Sequence, residues 1–175
     1  NFSGTAATHT NAEDIANLTL TFADAAFVNN TSASNVINYG KNDFVVDFQD
    51  PPAITYDTGT FTESIGNDGS MGNSLVITLA GDTFAADITG DITATNVPAG
   101  LTAAFVRDSD TQVTVSLTGN GSNHANANDI ANLTITFLDA AFVNVASASL
   151  VTNYLKNDII VDYNDPASLA YSTST

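Results

Sequence analysis

Carboxylate and amide side chains gather around two Asp-Pro sequences of this 175-residue chain, and these groups could bind a metal ion. Calcium takes six to eight oxygen ligands from carboxylates, carbonyls and amides in a flexible geometry. An ion there would also relieve the repulsion among neighbouring acids. The alternative is a set of solvated acidic turns, because the Asp-x-Asp-x-Asp-Gly loop with a closing Glu is absent. The predicted calcium ligands are Asp47, Asp50, Asp57, Asp162, Asn164 and Asp165.

Histidine, the commonest general base, is scarce. His9 and His124 are the two histidines of the chain, and they occupy equivalent positions in two similar segments. Cysteine is absent, and no Gly-rich phosphate loop, nucleophile elbow or paired-histidine motif occurs. We therefore expect that the protein is not an enzyme. Each histidine is predicted to be an exposed loop residue or a side chain that fixes a turn, with a metal ligand or general base as the alternative.

The charge of the chain excludes one class of partner. Lys and Arg number 3 against 19 Asp and Glu, which gives a net charge of −16. A phosphate backbone would be repelled, so nucleic acid is not a partner. No apolar run approaches the roughly 20 residues that cross a bilayer, so no membrane-spanning segment is expected. Lys41 and Lys156 are predicted to discourage pairing of strand edges, with a salt bridge to a neighbouring module as the alternative.

The chain contains an internal repeat. Residues 4–56 return as residues 119–171 with 32 identities in 53 positions and no gap. The shift of 115 residues is the size of a β-sandwich domain and exceeds the unit of a solenoid. Residues 52–118 occur once and would complete the second copy; we call them the opening half, and 119–166 the closing half. The predicted domains are 1–51, the closing half of one module; 52–166, a complete module; and 167–175, the start of the next.

Alternation of apolar and polar residues predicts half-buried antiparallel strands. Turn residues, mainly Gly, Asn and Asp, separate the alternating stretches. Helical periodicity is poor, and only 32–39 and 147–154 could hold a helical turn. The predicted inward stripes are Leu18/Leu20/Phe22, Phe44/Val46/Phe48, Leu75/Ile77/Leu79, Val113/Val115/Leu117, Leu133/Ile135/Phe137 and Ile159/Val161/Tyr163, with Leu101/Ala103/Phe105 as a weaker stripe.

Three stretches carry a resemblance to a known class of repeats: NANDIANLTITFLDAAF, VPAGLTAAF and KNDIIVDYNDP. They resemble the tandem immunoglobulin-like β-sandwich repeats of very large secreted or surface-anchored bacterial proteins, adhesins among them. The resemblance covers the whole chain. It implies an all-β chain of immunoglobulin-like antiparallel β-sandwich modules in tandem, located extracellularly or on the cell surface. It also implies an extended rod that is often stiffened by calcium.

A repeated module with a short proline-containing connection and no catalytic set indicates a structural task. The sequence predicts a segment that forms or spaces a bacterial surface fibre, adhesin or coat. The expected partners are neighbouring copies of the module, in the same polypeptide or as a head-to-tail homopolymer assembled by strand exchange. The reason is that residues 1–51 lack the strands that would cover their apolar faces.

The alternative function is a carbohydrate- or surface-binding module, which would need an exposed aromatic platform. Because the tyrosines recur at the same positions of the repeat, packing in the core or at a junction is the favoured interpretation. The candidate stacking residues are Tyr39, Tyr56, Tyr154 and Tyr171.

Overall fold

The computed structural model describes residues 3–5, 11–165 and 169. The chain divides into two compact units, unit 1 (Asn1–Pro51) and unit 2 (Pro52–Thr175). The fold is all-β, and the helical segments are 3-10 turns of three residues. In the described part of the chain, no helix is long and apolar enough to span a membrane. The predicted sites at His9 and Tyr171 lie outside the described residues, as do all of 167–175 except residue 169.

Unit 1 is a two-stranded antiparallel sheet with short turns around it. Strand β1 spans Ile15–Thr21 and strand β2 spans Gly40–Val46. The 3-10 turns are Asn11–Glu13, Asp24–Ala26 and Ala33–Asn35. The last of them lies within 32–39, where the sequence allows a helical turn, and the first two were not predicted. Two strands alone cannot enclose a core, so the apolar residues of this sheet need another surface to become buried.

The described residues of unit 2 form eight strands in two sheets of four. One sheet has the order β3-β5-β8-β7 and the other has the order β4-β10-β9-β6. The 3-10 turns are Asn126–Asn128, Asp139–Ala141 and Ala148–Leu150. The strands are β3 (Ala53–Tyr56), β4 (Thr60–Thr62), β5 (Leu75–Ala80), β6 (Ile92–Thr95), β7 (Leu101–Ser109), β8 (Gln112–Gly119), β9 (Ile130–Phe137) and β10 (Leu155–Asp162).

One strand pair departs from the predicted antiparallel arrangement. Strands β4 and β10 run parallel over three residues, with Thr60 opposite Ile160, whereas the other pairs in these sheets are antiparallel. The chain leaves β3 in one sheet and enters β4 in the other sheet within three residues. It therefore keeps its direction and meets β10 in parallel.

The two sheets of unit 2 share one hydrophobic core. The four stripes predicted at 75–79, 113–117, 133–137 and 159–163 are buried. In the weaker stripe Leu101 is buried, while Ala103 and Phe105 are half-buried. The short strands β3, β4 and β6 were not predicted, because three or four residues offer too few alternating positions to be recognised.

The β1/β2 and β9/β10 hairpins have the same register. All four facing pairs of the first hairpin recur in the second with a shift of 115 residues; for example, Leu18–Phe44 becomes Leu133–Ile159. The irregularities of the ladder also fall between equivalent pairs. The repeated sequence therefore forms the same hairpin twice.

Burial distinguishes the two hairpins. Leu20 and Phe22 are 43% and 48% exposed, whereas the equivalent Ile135 and Phe137 are 0% exposed. In unit 2 the opening half contributes strands to the core that encloses these residues. The predicted inward face of residues 1–51 is thus formed, but Leu20, Phe22 and Phe44 on it are exposed.

Candidate functional site

Glu63 is a buried carboxylate that directly follows strand β4. Its Oε1 accepts a hydrogen bond from the backbone N–H of Gly69 at 2.6 Å and lies 3.0 Å from Nδ1 of His124. Its Oε2 accepts a hydrogen bond from the backbone N–H of Asn164 at 2.8 Å. One side chain therefore connects the segment between β4 and β5, the segment between β8 and β9, and the residues after β10.

The Glu63–His124 pair is the nearest approach to an acid–base pair in unit 2. The Glu63 side chain is 0% exposed and that of His124 is 36% exposed, and a role of His124 in fixing its turn stays a prediction. Backbone N–H groups occupy both carboxylate oxygens of Glu63. A carboxylate held in this way fixes the loops around it, and an ion pair with His124 adds to this when the imidazole is protonated.

Tyr163 lies beside this cluster, and its hydroxyl is buried without a hydrogen-bond partner among the described residues. Burial, followed by the negative charges of Glu63 and Asp129, raises the pKa of Tyr163. The phenol is therefore neutral at ordinary pH and does not act as a base. Sequence reasoning missed Glu63, although one signal was available: the chain contains two glutamates, Glu13 and Glu63, among its 19 acids.

Asp82 is the second buried carboxylate of unit 2 and follows strand β5. It accepts hydrogen bonds from the backbone N–H of Thr83 at 2.7 Å, from Nδ2 of Asn144 at 2.7 Å and from the backbone N–H of Val145 at 3.1 Å. Burial alone would raise the pKa of Asp82, but these hydrogen bonds together hold it below its ordinary value. The sequence indicated only a Gly-Asp turn at this position.

The predicted calcium ligands Asp57 and Asp165 of unit 2 hold backbone groups. Asp57 lies ahead of β4, where its Oδ1 accepts two backbone N–H groups. Asp165 lies beyond β10, where its Oδ1 accepts the backbone N–H of Asn126. Because β4 and β10 are parallel, residues ahead of one strand and residues after the other lie at opposite ends of the pair. Asp57 thus lies apart from Asn164 and Asp165, which belong to the second of the two predicted Asp-Pro junctions.

The remaining predicted ligands have other surroundings. Asp47 and Asp50 follow β2 in unit 1, and Asp162 is the last residue of β10. Asn164 donates hydrogen bonds to Glu63 through its backbone N–H and its Nδ2. Over residues 3–5, 11–165 and 169, no group of three or more His, Asp or Glu side chains could hold a metal ion. Calcium binding stays a prediction.

A groove of about 440 Å³ lies beside strand β3 and the start of β10. The Lys156 ammonium lies 5.4 Å from the centroid of the Tyr56 ring and donates a hydrogen bond to Asp158 at 2.7 Å. This bond holds the pKa of Asp158 below its ordinary value, while burial and then the charge of Asp158 raise the pKa of Tyr56. Lys156 thus occupies one face of the ring. The groove is lined by Ile54, Thr55, Tyr56, Asn153, Leu155, Lys156, Asn157 and Asp158.

The other candidate stacking residues are distributed differently. Tyr154, like Tyr56, is partly buried and packs against the core of unit 2. Tyr39, which is equivalent to Tyr154, is 39% exposed in unit 1. The three candidate stacking residues that the structure describes therefore do not form one exposed platform within a unit.

No protein-family model and no curated protein matches the chain. Among solved structures, one match is the crystal structure of the chitinase ChiW from Paenibacillus sp. str. FPU-7, described as a novel type of bacterial cell-surface-expressed multi-modular enzyme machinery. The alignment has 15% sequence identity and a TM-score of 0.41, and it covers 63% of this chain and 13% of that chain. The present chain spans a small part of that protein, and the likeness is too distant to transfer a function.

Proposed function

We propose that the chain is a structural segment of a bacterial surface protein, in which immunoglobulin-like modules space or assemble a fibre, adhesin or coat. The observation that carries this proposal is the recurrence of one hairpin, with the same register, after 115 residues. Repetition of a unit provides length, which a structural protein needs and a catalyst does not. A location outside the cell or on its surface is part of the proposal.

The strand order of unit 2 supports an immunoglobulin-like module. In the constant-type immunoglobulin fold, one sheet contains strands A, B, E and D, and the other contains C, F and G. If β3, β5, β8 and β7 are strands A, B, E and D, then β6, β9 and β10 are strands C, F and G, in the observed order. Strand β4 continues strand A at the edge of the second sheet, next to G.

The two buried carboxylates support a structural role over a catalytic one. Glu63 and Asp82 belong to the opening half, and both accept hydrogen bonds from the closing half: Asn164 donates to Glu63, and Asn144 and Val145 donate to Asp82. Hydrogen bonds to a charged acceptor are about twice as strong as those between neutral groups. These acids therefore join the two halves of the module. The net charge of −16 favours solubility.

Small-angle X-ray scattering on chains of one to four consecutive copies of residues 52–166 tests the spacing function. The maximum dimension should rise by a constant increment of at least about 26 Å per copy, the length of an eight-residue strand. Growth with the cube root of mass would contradict the proposal, because it would show collapse into a compact body. Repeating the series with calcium and with a chelator tests the predicted stiffening by calcium.

Carbohydrate binding is the second candidate, and the groove at Tyr56 is the observation that favours it. The groove beside the Tyr56 ring is lined by polar residues that a sugar could contact, among them Thr55, Asn153 and Asn157. A glycan array decides between the two functions. Selective binding that is lost in Tyr56→Ala and kept in Tyr39→Ala would make carbohydrate recognition the function.

A further inference from the structure

One face of the β1/β2 hairpin in unit 1 carries a row of exposed apolar side chains. Each of them is more than one third exposed, although the equivalent side chains of unit 2 are buried or half-buried. Exposed patches of this kind mark surfaces that bind another polypeptide. The exposed residues are Ile15, Leu20, Phe22 and Phe44.

Unit 1 nevertheless has the local structure of a closing half. The Asp14 carboxylate accepts the backbone N–H of Phe48 at 2.8 Å, and Asp129 accepts the backbone N–H of Tyr163 at the same distance. The 3-10 turns also fall at equivalent positions in the two copies. The exposed face of unit 1 therefore has the same local structure as the face of the closing half that packs against the opening half in unit 2.

Unit 1 also retains polar residues that contact the opening half in unit 2. Asn144 Nδ2 donates a hydrogen bond to Asp82, and Asn153 Nδ2 donates one to the backbone oxygen of Ile54 at 3.1 Å. Both acceptors lie in the opening half. In unit 1 the equivalent residues are exposed, and both are again asparagine: Asn29 and Asn38.

Unit 1 also retains the aromatic residues that contact the opening half in unit 2. Phe84 of the opening half lies 5.5 Å from Phe137 and 6.1 Å from Phe142, measured between ring centroids. Phe137 and Phe142 are 6.0 Å apart, and the equivalent Phe22 and Phe27 are 6.2 Å apart. Unit 1 thus holds two of the three rings at nearly the same spacing, without the third.

We propose that this face of unit 1 is the docking surface for an opening half of the same kind, which leads into Gly4 as residues 52–118 lead into Gly119, with residues 1–3 at the positions of 116–118. This inference rests on the proposed function and names the partner of unit 1. The occupant has the chemistry of residues 52–118: a phenylalanine packs against Phe22 and Phe27, and an aspartate accepts hydrogen bonds from Asn29. Covalent connection favours this occupant through its high effective concentration.

A second copy of the chain is the less suitable occupant. Its own opening half is already packed against its own closing half, in one core with Phe84, Phe137 and Phe142. Donating that half to a neighbour would uncover an equivalent face elsewhere. The 175-residue sequence has one opening half for two closing halves, so exchange between copies of it leaves the number of uncovered faces unchanged.

The test is an extended chain in which a copy of residues 53–118 replaces residues 1–3, compared with the 175-residue chain by hydrogen–deuterium exchange. The amides of β1 and β2 should exchange at least about 100-fold more slowly in the extended chain, approaching the rates of β9 and β10. The control is the same extension with the substitutions corresponding to Ile77→Asp and Val113→Asp in the added copy. In that control the amides of β1 and β2 should exchange as in the 175-residue chain.

A second readout uses the retained contact residues. Phe27→Ala and Asn29→Ala should abolish much of the added protection in the extended chain and change little in the 175-residue chain. Unchanged exchange of β1 and β2 in the extended chain would overturn the inference. So would protection in the 175-residue chain that rises with protein concentration, which would identify a second copy as the occupant. Added protection without a constant scattering increment would contradict the spacing function alone.

Discussion

Phe22 and Phe137 are the same residue type at equivalent positions of the repeat. Comparing them measures how much stability the opening half contributes by burying the ring. Phe137 is 0% exposed and Phe22 is 48% exposed. Replacing a buried phenylalanine with alanine costs about 3–5 kcal/mol, since transfer free energy is lost and a cavity forms. The Phe22 ring is only about half buried, so Phe22→Ala removes about half as much buried surface and leaves no enclosed cavity. The expected cost in the stability of unit 1 is therefore about 1 kcal/mol.

These costs predict different thermal shifts. For a unit of about 115 residues, 1 kcal/mol corresponds to about 4 °C in Tm. Phe137→Ala should therefore lower the Tm of unit 2 by about 12–20 °C, and Phe22→Ala should leave that transition in place. Phe137→Leu is the matched control, and its smaller loss of volume should cost less than Phe137→Ala.

The assay is thermal unfolding followed by circular dichroism, with urea unfolding to obtain the free energy of unfolding. Hydrogen exchange of peptides from β1 and from β9 assigns each loss to its unit. Equal losses for Phe22→Ala and Phe137→Ala would refute the reasoning. They would show that the face of unit 1 is as fully enclosed as the core of unit 2.

Three further predictions concern the buried acids, a glycine turn and a buried phenol. Asp82→Asn should destabilise unit 2 by about 2–4 kcal/mol at pH 7. Because the pKa of Asp82 is held low in the folded state, the stability that its carboxylate contributes is present above the unfolded pKa of about 3.9 and is lost as pH falls through the folded pKa. The free energies of unfolding of the original chain and the variant, measured in urea, should therefore converge in acid. Gly69→Ala should cost more than the roughly 1 kcal/mol of Gly90→Ala. Both residues have φ of +82°, but only at Gly69 would a Cβ lie 2.7 Å from the Gly121 carbonyl oxygen, so equal Tm losses would contradict the contact. Tyr163→Phe should be neutral or stabilising by up to about 1 kcal/mol at pH 7. Since burial raises the pKa of Tyr163, the stability of the original chain should decline as pH rises above the unfolded pKa of about 10. The same alkaline decline in the Tyr163→Phe variant would contradict this.

The sequence determined the repeat, the all-β class and the inward stripes, because alternation of side chains between two faces is a local property of a strand. The stripe Leu133/Ile135/Phe137 could be predicted from five consecutive residues. Strands of three or four residues, such as β4, lack that signal. The parallel pairing of β4 with β10 depends on where the chain crosses between sheets, and no local pattern encodes that crossing.

Only the tertiary structure decided which of two similar segments is buried and which acids have structural partners. Glu63 is 101 residues from Asn164, and Asp82 is 62 residues from Asn144, so neither partnership has a signature in the neighbouring sequence. Leu20 and Ile135 occupy equivalent sites in nearly identical stretches, yet one is exposed and the other buried. Burial depends on the surface that packs against a residue, and that surface is formed by chain segments far away in the sequence.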